Sequence, residues 1–255
     1  MSLRPVIWTV AALAAACFAL AQSPADPDAV PLFNGKDLTG LYTFLPSKGV
    51  NSDPDHVFKV EDGALHISGQ EFGFACTEKE YENYRLTAEF KWGTETWKPR
   101  KDRARDSGIL FHYVGPDKVW GKSIEFQMIE GGTGDILVVD GGSMDFDPAK
   151  KAQLAGKLSE DGKRLVGHAS RLNWWGRSPE WKDVAGIRGK DDLEKPLGEW
   201  NQVELIADGD TIKYYLNGKL ANEGTGVEPH KGKILFQSEG AEVYFRNMVV
   251  HPLKK

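Results

Sequence analysis

The sequence predicts an all-β fold, in which two antiparallel sheets pack as a β-sandwich or jelly roll. Short stretches of alternating apolar and polar residues recur along most of the chain, and glycine-rich turns separate them. No long stretch with the 3.6-residue period of a helix follows the N-terminal segment. A chain of 255 residues can bury a large core in one domain. We therefore expect a single folded domain over residues 31–255.

The N-terminal segment has the features of a secretory signal peptide. Arg4 precedes an apolar run over residues 6–20, and Ala19-Leu20-Ala21 supplies the small residues of a cleavage site. This run is short for a bilayer span, which needs about 20 residues. We expect residues 1–21 to be removed and 22–30 to form a linker. The sequence thus predicts a periplasmic or secreted protein with no transmembrane segment after cleavage.

Cysteine content and charge narrow the classes of function. Cleavage would leave Cys76 alone, so no intramolecular disulfide is expected. Lipidation at Cys17 is the less favoured alternative, because apolar chain continues beyond it. The chain carries 32 basic and 37 acidic residues, a net charge of -5, with no basic stripe. Binding to nucleic acid is therefore not expected.

Six strands are predicted in the first half of the domain. They cover residues 57–60, 64–68, 84–92, 106–114, part of 122–135, and 136–139. Glu61-Asp62-Gly63 lies between the first two and predicts a hairpin, because glycine adopts the positive φ of a tight turn.

The second half begins with a long excursion. Alternation fades over residues 141–198, and a connection of this length is usually functional or carries small elements of its own. Asn217-Gly218 is the strongest two-residue hairpin pattern in the chain. Strands are predicted again over residues 200–207, 211–216, 233–238 and 242–251.

The stretch 122–135 combines a core face with a polar face. Glu125 and Gln127 point to one side of the predicted strand. The residues that point to the other side are all apolar: Ile124, Phe126 and Met128. Such a polar face is typical of a substrate-binding sheet, although a solvated face is the plain alternative. Glu130 has the wrong parity to join Glu125 unless a bulge shifts it.

Several common catalytic motifs are absent from the sequence. There is no glycine-rich dinucleotide motif, P-loop, zinc-protease motif or serine-hydrolase elbow. Acids, amides, one strand histidine and several tryptophans remain. Aromatic rings stack on the apolar faces of sugars, while carboxylates and amides bond to sugar hydroxyls. This set is typical of a carbohydrate site.

A series of short motifs resembles one known family. In chain order they are Leu32-Phe-Asn-Gly-Lys-Asp-Leu38, Asp106-Ser-Gly-Ile-Leu110, Ser123-Ile-Glu-Phe-Gln127, Gly198-Glu-Trp-Asn201, Leu216-Asn-Gly218, Gly232-Lys-Ile-Leu-Phe-Gln-Ser-Glu-Gly240 and Phe245-Arg-Asn247. Their order and spacing resemble the 3-keto-disaccharide hydrolase domain family over residues 31–253. The resemblance implies a concanavalin-like β-sandwich, export from a bacterial cell, and action on glycosides that carry a ketone at sugar carbon 3.

The implied chemistry is an elimination. A ketone at C3 acidifies the hydrogen at C2, so that a base can remove it and the C1 substituent can leave, with or without later addition of water. The site would need a base, an electrophile for the oxyanion and an acid for the leaving oxygen. A divalent metal ion could be the electrophile, although the sequence has no metal-ligand spacing signature.

Three residues are candidates for catalysis. Glu125 is the first candidate for acid or base work, followed by His112 and Glu130. His112 occupies a position where other family members tend to carry arginine, and a core histidine is the usual interpretation of its pattern. Candidates for substrate binding are polar strand residues and tryptophans, for which surface polarity or packing is an equal alternative: Gln127, Asp106, Ser107, Glu89, Lys91, Arg85, Gln237, Glu239, Trp120, Trp174 and Trp175.

Two other functions are compatible with the same residues. In a retaining β-glucanase on this fold, Glu125 and Glu130 would be the two catalytic carboxylates, about 5 to 5.5 Å apart. In a non-catalytic carbohydrate-binding module, the polar face would bind a sugar without chemistry. The partner expected in each case is a carbohydrate.

Overall fold

The computed structural model describes residues 26–254, which form two packed antiparallel sheets and one short 3-10 helix, Pro148–Gln153. The predicted signal peptide and linker residues 22–25 lie outside the described residues. Within the described range, no helix is long and apolar enough to cross a membrane. The predicted all-β sandwich is confirmed.

The strands follow one another in the chain as β1 (Val30–Pro31), β2 (Leu41–Leu45), β3 (Gly49–Val50), β4 (Phe58–Glu61), β5 (Ala64–Ile67), β6 (Gly73–Thr77), β7 (Tyr84–Thr96), β8 (Asp106–Tyr113), β9 (Ser123–Ile129), β10 (Ile136–Val139), β11 (Ser143–Asp145), β12 (Leu154–Leu158), β13 (Arg164–Leu172), β14 (Asn201–Asp208), β15 (Thr211–Leu216), β16 (Lys219–Gly224), β17 (Lys233–Ser238) and β18 (Ala241–Pro252).

The eight-stranded sheet has the order β16-β15-β14-β7-β18-β5-β4, with β1 paired to β18. Two of its hairpins close as the sequence predicts. Asp62 and Gly63 have φ values of 50° and 75°, and Asn217 and Gly218 have 50° and 77°. Two consecutive positive φ values are typical of the tight turn whose twist matches that of the flanking strands. The turn residues therefore fix the β4–β5 and β15–β16 registers.

The ten-stranded sheet has the order β11-β13-β10-β9-β8-β17-β6-β2-β3, with β12 paired to β13. One of its central strands, β9, belongs to the polar stretch identified in the sequence, and β8 pairs with it. The excursion over residues 141–198 contributes β11, β12, β13 and the 3-10 helix to this side of the molecule. Residues 173–198 then run without a strand to the start of β14.

Apolar side chains fill the space between the sheets. Phe126 of β9 stacks on Tyr214 of β15, with ring centroids 4.2 Å apart and planes 3° from parallel. Truncation of a buried aromatic residue typically costs about 3–5 kcal/mol, so this contact holds β9 firmly in register. A second apolar cluster, which includes Leu110, Leu137 and the buried thiol of Cys76, lies on the other face of the ten-stranded sheet.

Candidate functional site

A pocket of about 260 Å³ opens on the outer face of the ten-stranded sheet. Strand alternation creates it, because Phe126 points into the core and its neighbours Glu125 and Gln127 therefore point outward. The polar and aromatic residues of its wall are Asp106, Trp120, Glu125, Gln127, His168, Arg171 and Glu239. Five of these seven were predicted as site residues, and the structure brings those five together; their roles remain predictions.

Gly108 provides the space in which the carboxyl group of Glu125 lies. A Cβ atom at Gly108 would overlap Oε1 of Glu125 and would lie 3.0 Å from Oε1 of Gln237. Gly108 has no left-handed backbone angle, so glycine is required here for space and not for conformation. The side chains of Glu125 and Gln237 thus converge above β8.

Asp106 is held by two neighbours. Nε2 of Gln127 donates a hydrogen bond to its Oδ1, and Nη2 of Arg100 lies 3.1 Å from its Oδ2. Arg100 also lies 3.0 Å from Asp183 in the segment 173–198. Asp106 is therefore oriented by one amide and one guanidinium group, which fix the position of its carboxyl group at the pocket wall.

Some polar atoms beside the pocket have no hydrogen-bond partner among the described residues. They are Oε1 of Glu125 and both amide atoms of Gln237, and these residues are 2% and 0% exposed. A buried polar atom without a partner costs about 1–3 kcal/mol. Such atoms are rare in folded proteins. Their position beside the pocket indicates a site that binds a polar ligand.

Burial shifts the pKa values of the pocket carboxyl groups upward. Burial raises the pKa of Asp106 to about 6, although the charges of Arg100 and Arg171 oppose the shift. Burial, with the negative charge of Asp106, raises the pKa of Glu125 to about 8. The pKa of Glu239 also lies well above its ordinary value because of burial and the other two carboxylates, although the side chain keeps some exposure. The three carboxyl groups of the pocket therefore hold their protons to a higher pH than exposed carboxyl groups do.

Sequence reasoning missed two residues of the pocket wall, His168 and Arg171. Arg171 lies on β13, as His168 does, and this strand lacks regular alternation, because its buried leucines, Leu165 and Leu172, have opposite parity. The guanidinium group of Arg171 lies 3.5 Å from the fully buried carboxylate of Asp135, which also accepts hydrogen bonds from Arg177 and from the backbone N–H of Trp174. Asp135 therefore connects a cation of the pocket to the start of the segment 173–198.

Other predicted site residues lie near the pocket but not in its wall. Ser107 is buried on the core side, and its hydroxyl donates to the backbone oxygen of Gln237. Trp174 and Trp175 line a separate, wider cleft. Glu130 is buried in an ion pair with Arg105, at 2.8 Å, and does not line the pocket. A glucanase-type pair of Glu125 and Glu130 is therefore not formed.

Three predicted binding residues lie on the opposite side of the molecule. Arg85, Glu89 and Lys91 belong to β7 of the eight-stranded sheet and point away from the core. Arg85 pairs with Glu204, Glu89 pairs with Arg246, and Lys91 lies over Trp200 and Tyr244. Their assignment to one concave surface with Glu125 was wrong, because alternation shows which residues share a face but not which sheet a strand joins.

His112 is also outside the pocket. A left-handed φ of 53° turns it at the end of β8, and its ring packs edge-on against Tyr84 of the other sheet at 5.7 Å. Nδ1 lies 3.0 Å from the backbone oxygen of Pro229. Burial lowers the pKa of His112 to about 4. The local bulge places this side chain in the core, which is the alternative interpretation of its sequence pattern, and not in the pocket with Glu125.

A divalent metal ion does not fit the donor atoms of the pocket. Within residues 26–254, no group of three or more His, Cys, Asp or Glu side chains is arranged to hold a metal ion. The carboxyl groups share the site with Arg171, and Arg100 contacts Asp106.

Comparisons with known proteins agree with this architecture. The sequence model of the 3-keto-alpha-glucoside-1,2-lyase-like domain matches residues 28–251. Two crystal structures from Parabacteroides distasonis ATCC 8503, both described as candidate glycosyl hydrolases, are similar in fold. One is 24% identical with a TM-score of 0.53, covering 89% of this chain and 94% of that chain. The other is 21% identical with a TM-score of 0.52, covering 88% and 99%. No curated protein matches the sequence.

Proposed function

Because the chain belongs to the 3-keto-alpha-glucoside-1,2-lyase-like domain family, we propose that it cleaves the glycosidic bond of sugars that carry a ketone at C3. The observation that carries this proposal is the pair of buried carboxyl groups in one pocket, Asp106 and Glu125, with pKa values raised to about 6 and about 8. Two carboxyl groups whose pKa values differ in this way can divide the base and acid roles.

The two groups would carry opposite protonation states at pH 7. Asp106, with a pKa near 6, is mostly ionised and serves as the base that removes the C2 hydrogen. Glu125, with a pKa near 8, is mostly protonated and serves as the acid. Its Oε1 has no partner among the described residues, so the carboxyl group is free to contact the leaving oxygen.

The reaction follows from these positions. Asp106 takes the C2 proton, and the electrons of the C–H bond form an enolate with the C3 oxygen. Arg171 in the pocket wall stabilises the negative charge on that oxygen. The enolate then expels the C1 substituent, and Glu125 protonates the departing oxygen. The product is an unsaturated 3-keto sugar, to which water can add at C1.

Neighbouring residues would position the sugar and the base. The amide of Gln127 bonds to Asp106 and fixes its carboxyl orientation. Trp120 stands in the pocket wall and can stack on the apolar face of a sugar ring. Its ring meets Phe72 edge-on at 5.5 Å, which restricts its orientation.

Three substrates separate this function from its rivals. The purified protein is incubated with a 3-keto-glucoside, with the same glucoside before oxidation, and with a plain β-glucan. Release of the leaving group from the ketone alone supports the proposal. Cleavage of the unoxidised substrates supports a glucanase, and binding without turnover supports a carbohydrate-binding module. Mass spectrometry of the sugar product distinguishes elimination alone from elimination followed by hydration.

Export is part of the same proposal. The pattern of residues 1–21 supports cleavage after Ala21 and action in the periplasm or outside the cell. N-terminal sequencing of the protein recovered from its native host tests this directly. A mature chain that starts at Gln22 is expected, whereas a lipid-modified Cys17 or an uncut N-terminus would contradict it.

A further inference from the structure

A second, wider cleft lies beside the pocket and differs from it in charge. Its volume is about 790 Å³, against about 260 Å³ for the pocket, and Ala169 and Arg171 lie in both walls. The pocket wall contains three carboxyl groups. Among the described residues that line the cleft, none is acidic and two are arginines, Arg171 and Arg177. All charged side chains of the cleft wall are therefore positive.

One buried carboxylate, that of Asp135, balances only part of this charge. Nη1 of Arg171 and Nη1 of Arg177 both contact its Oδ2, and its Oδ1 accepts the backbone N–H of Trp174 at 2.7 Å. The Asp135 side chain is 0% exposed, whereas those of Arg171 and Arg177 keep exposures of 23% and 8%. Two guanidinium groups thus share one carboxylate, and one positive charge has no counter-charge at the cleft.

Most donors of the two guanidinium groups are free to bind a ligand. A guanidinium group carries five N–H donors in a planar fork. In the part of the chain that the structure describes, both groups hydrogen-bond to Asp135 alone. Arg177 lies over the ring of Trp181 at 4.0 Å, which restricts the orientation of its fork. Burial lowers the pKa of Arg177, Asp135 opposes this shift, and the charge of Arg171 adds to it. Negative charge in the cleft would stabilise both cations.

Neutral donors lie in the same wall. The indole N–H of Trp174 is buried without a partner among the described residues, and this residue is 2% exposed. A buried donor left unpaired costs about 1–3 kcal/mol. Oε1 of Gln153 and Oδ1 of Asn173 also lack partners there, and a half-turn of either amide presents its NH₂ group in place of its oxygen. The unpaired indole donor is the second feature that indicates an anion as ligand.

An exposed aromatic ring stands beside these donors. Trp175 is 58% exposed, although its indole N–H donates to the backbone oxygen of Leu220 at 2.9 Å. Trp174 meets it edge-on, with ring centroids 5.3 Å apart. These two contacts hold a large flat surface open to solvent, and aromatic rings pack well on such surfaces. The cleft thus offers positive charge and a stacking surface together.

We propose that the cleft binds a small organic oxyanion, a carboxylate or phosphate attached to a flat ring, with Arg171 and Arg177 as its counter-charges. The two forks bind the oxygens of the anion, as guanidinium groups commonly do, and Trp175 stacks on the ring. This ligand differs in charge from the keto sugar proposed for the pocket, so the site goes beyond the proposed function.

A titration that needs no turnover tests the proposal. Phenyl phosphate is added to the isotope-labelled wild type, and the indole N–H signals are followed by NMR. The signals of Trp174 and Trp175 are expected to shift, and Trp174→Phe identifies the first of them by its loss. Benzyl alcohol keeps the ring but lacks the charge, and is expected to bind about 10-fold more weakly or less. Equal affinities, or no shift with phenyl phosphate, would overturn the anion site.

A pair of variants on one strand separates the cleft from general surface charge. Arg171→Gln is expected to weaken the binding of phenyl phosphate about 10- to 100-fold, because a hydrogen bond to a charged group is lost. Arg164 also lies on β13, but its side chain is 31% exposed and pairs with Asp145. Arg164→Gln should leave the affinity unchanged, and equal weakening in both variants would refute the assignment. Thermal unfolding shows that each variant is folded.

Two further anions define the ligand. Inorganic phosphate lacks the ring, so phenyl phosphate is expected to bind about 2- to 10-fold more tightly in the wild type, and Trp175→Ala should remove that difference. Equal affinity for the two phosphates in the wild type would overturn the organic part of the proposal. Benzoate carries the same ring on a carboxylate, and the tighter of benzoate and phenyl phosphate identifies the anionic group that the cleft prefers.

Discussion

The carboxyl group of Glu125 occupies the space that a side chain at Gly108 would need. Gly108 lies on β8 opposite Gln127, one strand away from Glu125. This relationship connects a small residue in the Asp-Ser-Gly motif to the position of the proposed acid. The lack of space above β8 explains why glycine follows Asp106 and Ser107 in this motif.

Gly108→Ala is expected to abolish most activity. The added methyl group must displace the carboxyl group of Glu125, and a misplacement of about 1 Å can cost roughly 100-fold in rate. Initial rates on a 3-keto-glucoside measure the loss. Gly189→Ala is the control, because Gly189 has no left-handed backbone angle and an added Cβ atom would approach no atom closer than Cβ of Ser178, at 3.3 Å. Unchanged activity of Gly108→Ala would contradict the role of Glu125.

Glu125→Gln and Asp106→Asn are expected to differ in their dependence on the leaving group. Without its acid, Glu125→Gln should lose about 100- to 10,000-fold on a sugar leaving group, but much less on 4-nitrophenolate, which leaves without a proton. Asp106→Asn should be slow on both substrates, because the base that removes the C2 hydrogen is then missing. Initial rates of both variants on the two substrates test this prediction. A leaving-group dependence in Asp106→Asn but not in Glu125→Gln would contradict the assigned roles. Glu125→Gln should remain within about 1 kcal/mol of wild-type stability.

The pH dependence of kcat/KM is expected to be bell-shaped. Asp106 must lose its proton, so activity rises as the pH passes about 6. Glu125 must keep its proton, so activity falls as the pH passes about 8. Because the two carboxyl groups interact, the limbs report the pair and not each residue alone. Glu125→Gln should lose the alkaline limb; a profile that keeps both limbs would contradict the assignment.

Asp135→Asn is expected to lower both stability and activity. The substitution leaves Arg177 without its buried counter-charge, and breaking such a pair typically costs about 3–5 kcal/mol. Arg171 also loses its neighbour at the pocket. Urea unfolding measures the first effect and kcat/KM the second. Asp145→Asn is the control: that side chain is 53% exposed and pairs with Arg164, and such exposed pairs contribute about 0–1 kcal/mol.

Local patterns in the sequence were sufficient for much of the fold. Alternation located β10, β15 and β17 with their observed bounds, and turn residues located the hairpins at Asp62 and Asn217. Alternation also placed Glu125 and Gln127 on one face, apart from Phe126. These features depend on neighbours within a few residues, which a single sequence displays.

Features that depend on distant parts of the chain were not predictable in the same way. Glu89 and Glu125 both lie on polar strand faces, but only the pairing of strands places them on opposite sides of the sandwich. Arg171 reaches the pocket through the pairing of β13 with β10. His112 is turned into the core by a local bulge. None of these relationships leaves a distinct mark in the adjacent residues.

The reactivity of the buried thiol of Cys76 can be used to measure opening of the ten-stranded sheet. Cys76 is 0% exposed on β6, which lies between β17 and β2 in the sheet that carries the pocket. In a chain that starts at Gln22 it is the sole thiol, so the rate of its modification by a chromogenic disulfide reagent follows the exposure of that sheet. Ligands that bind the folded state should slow the modification, which allows candidate sugars to be ranked without substitution or turnover.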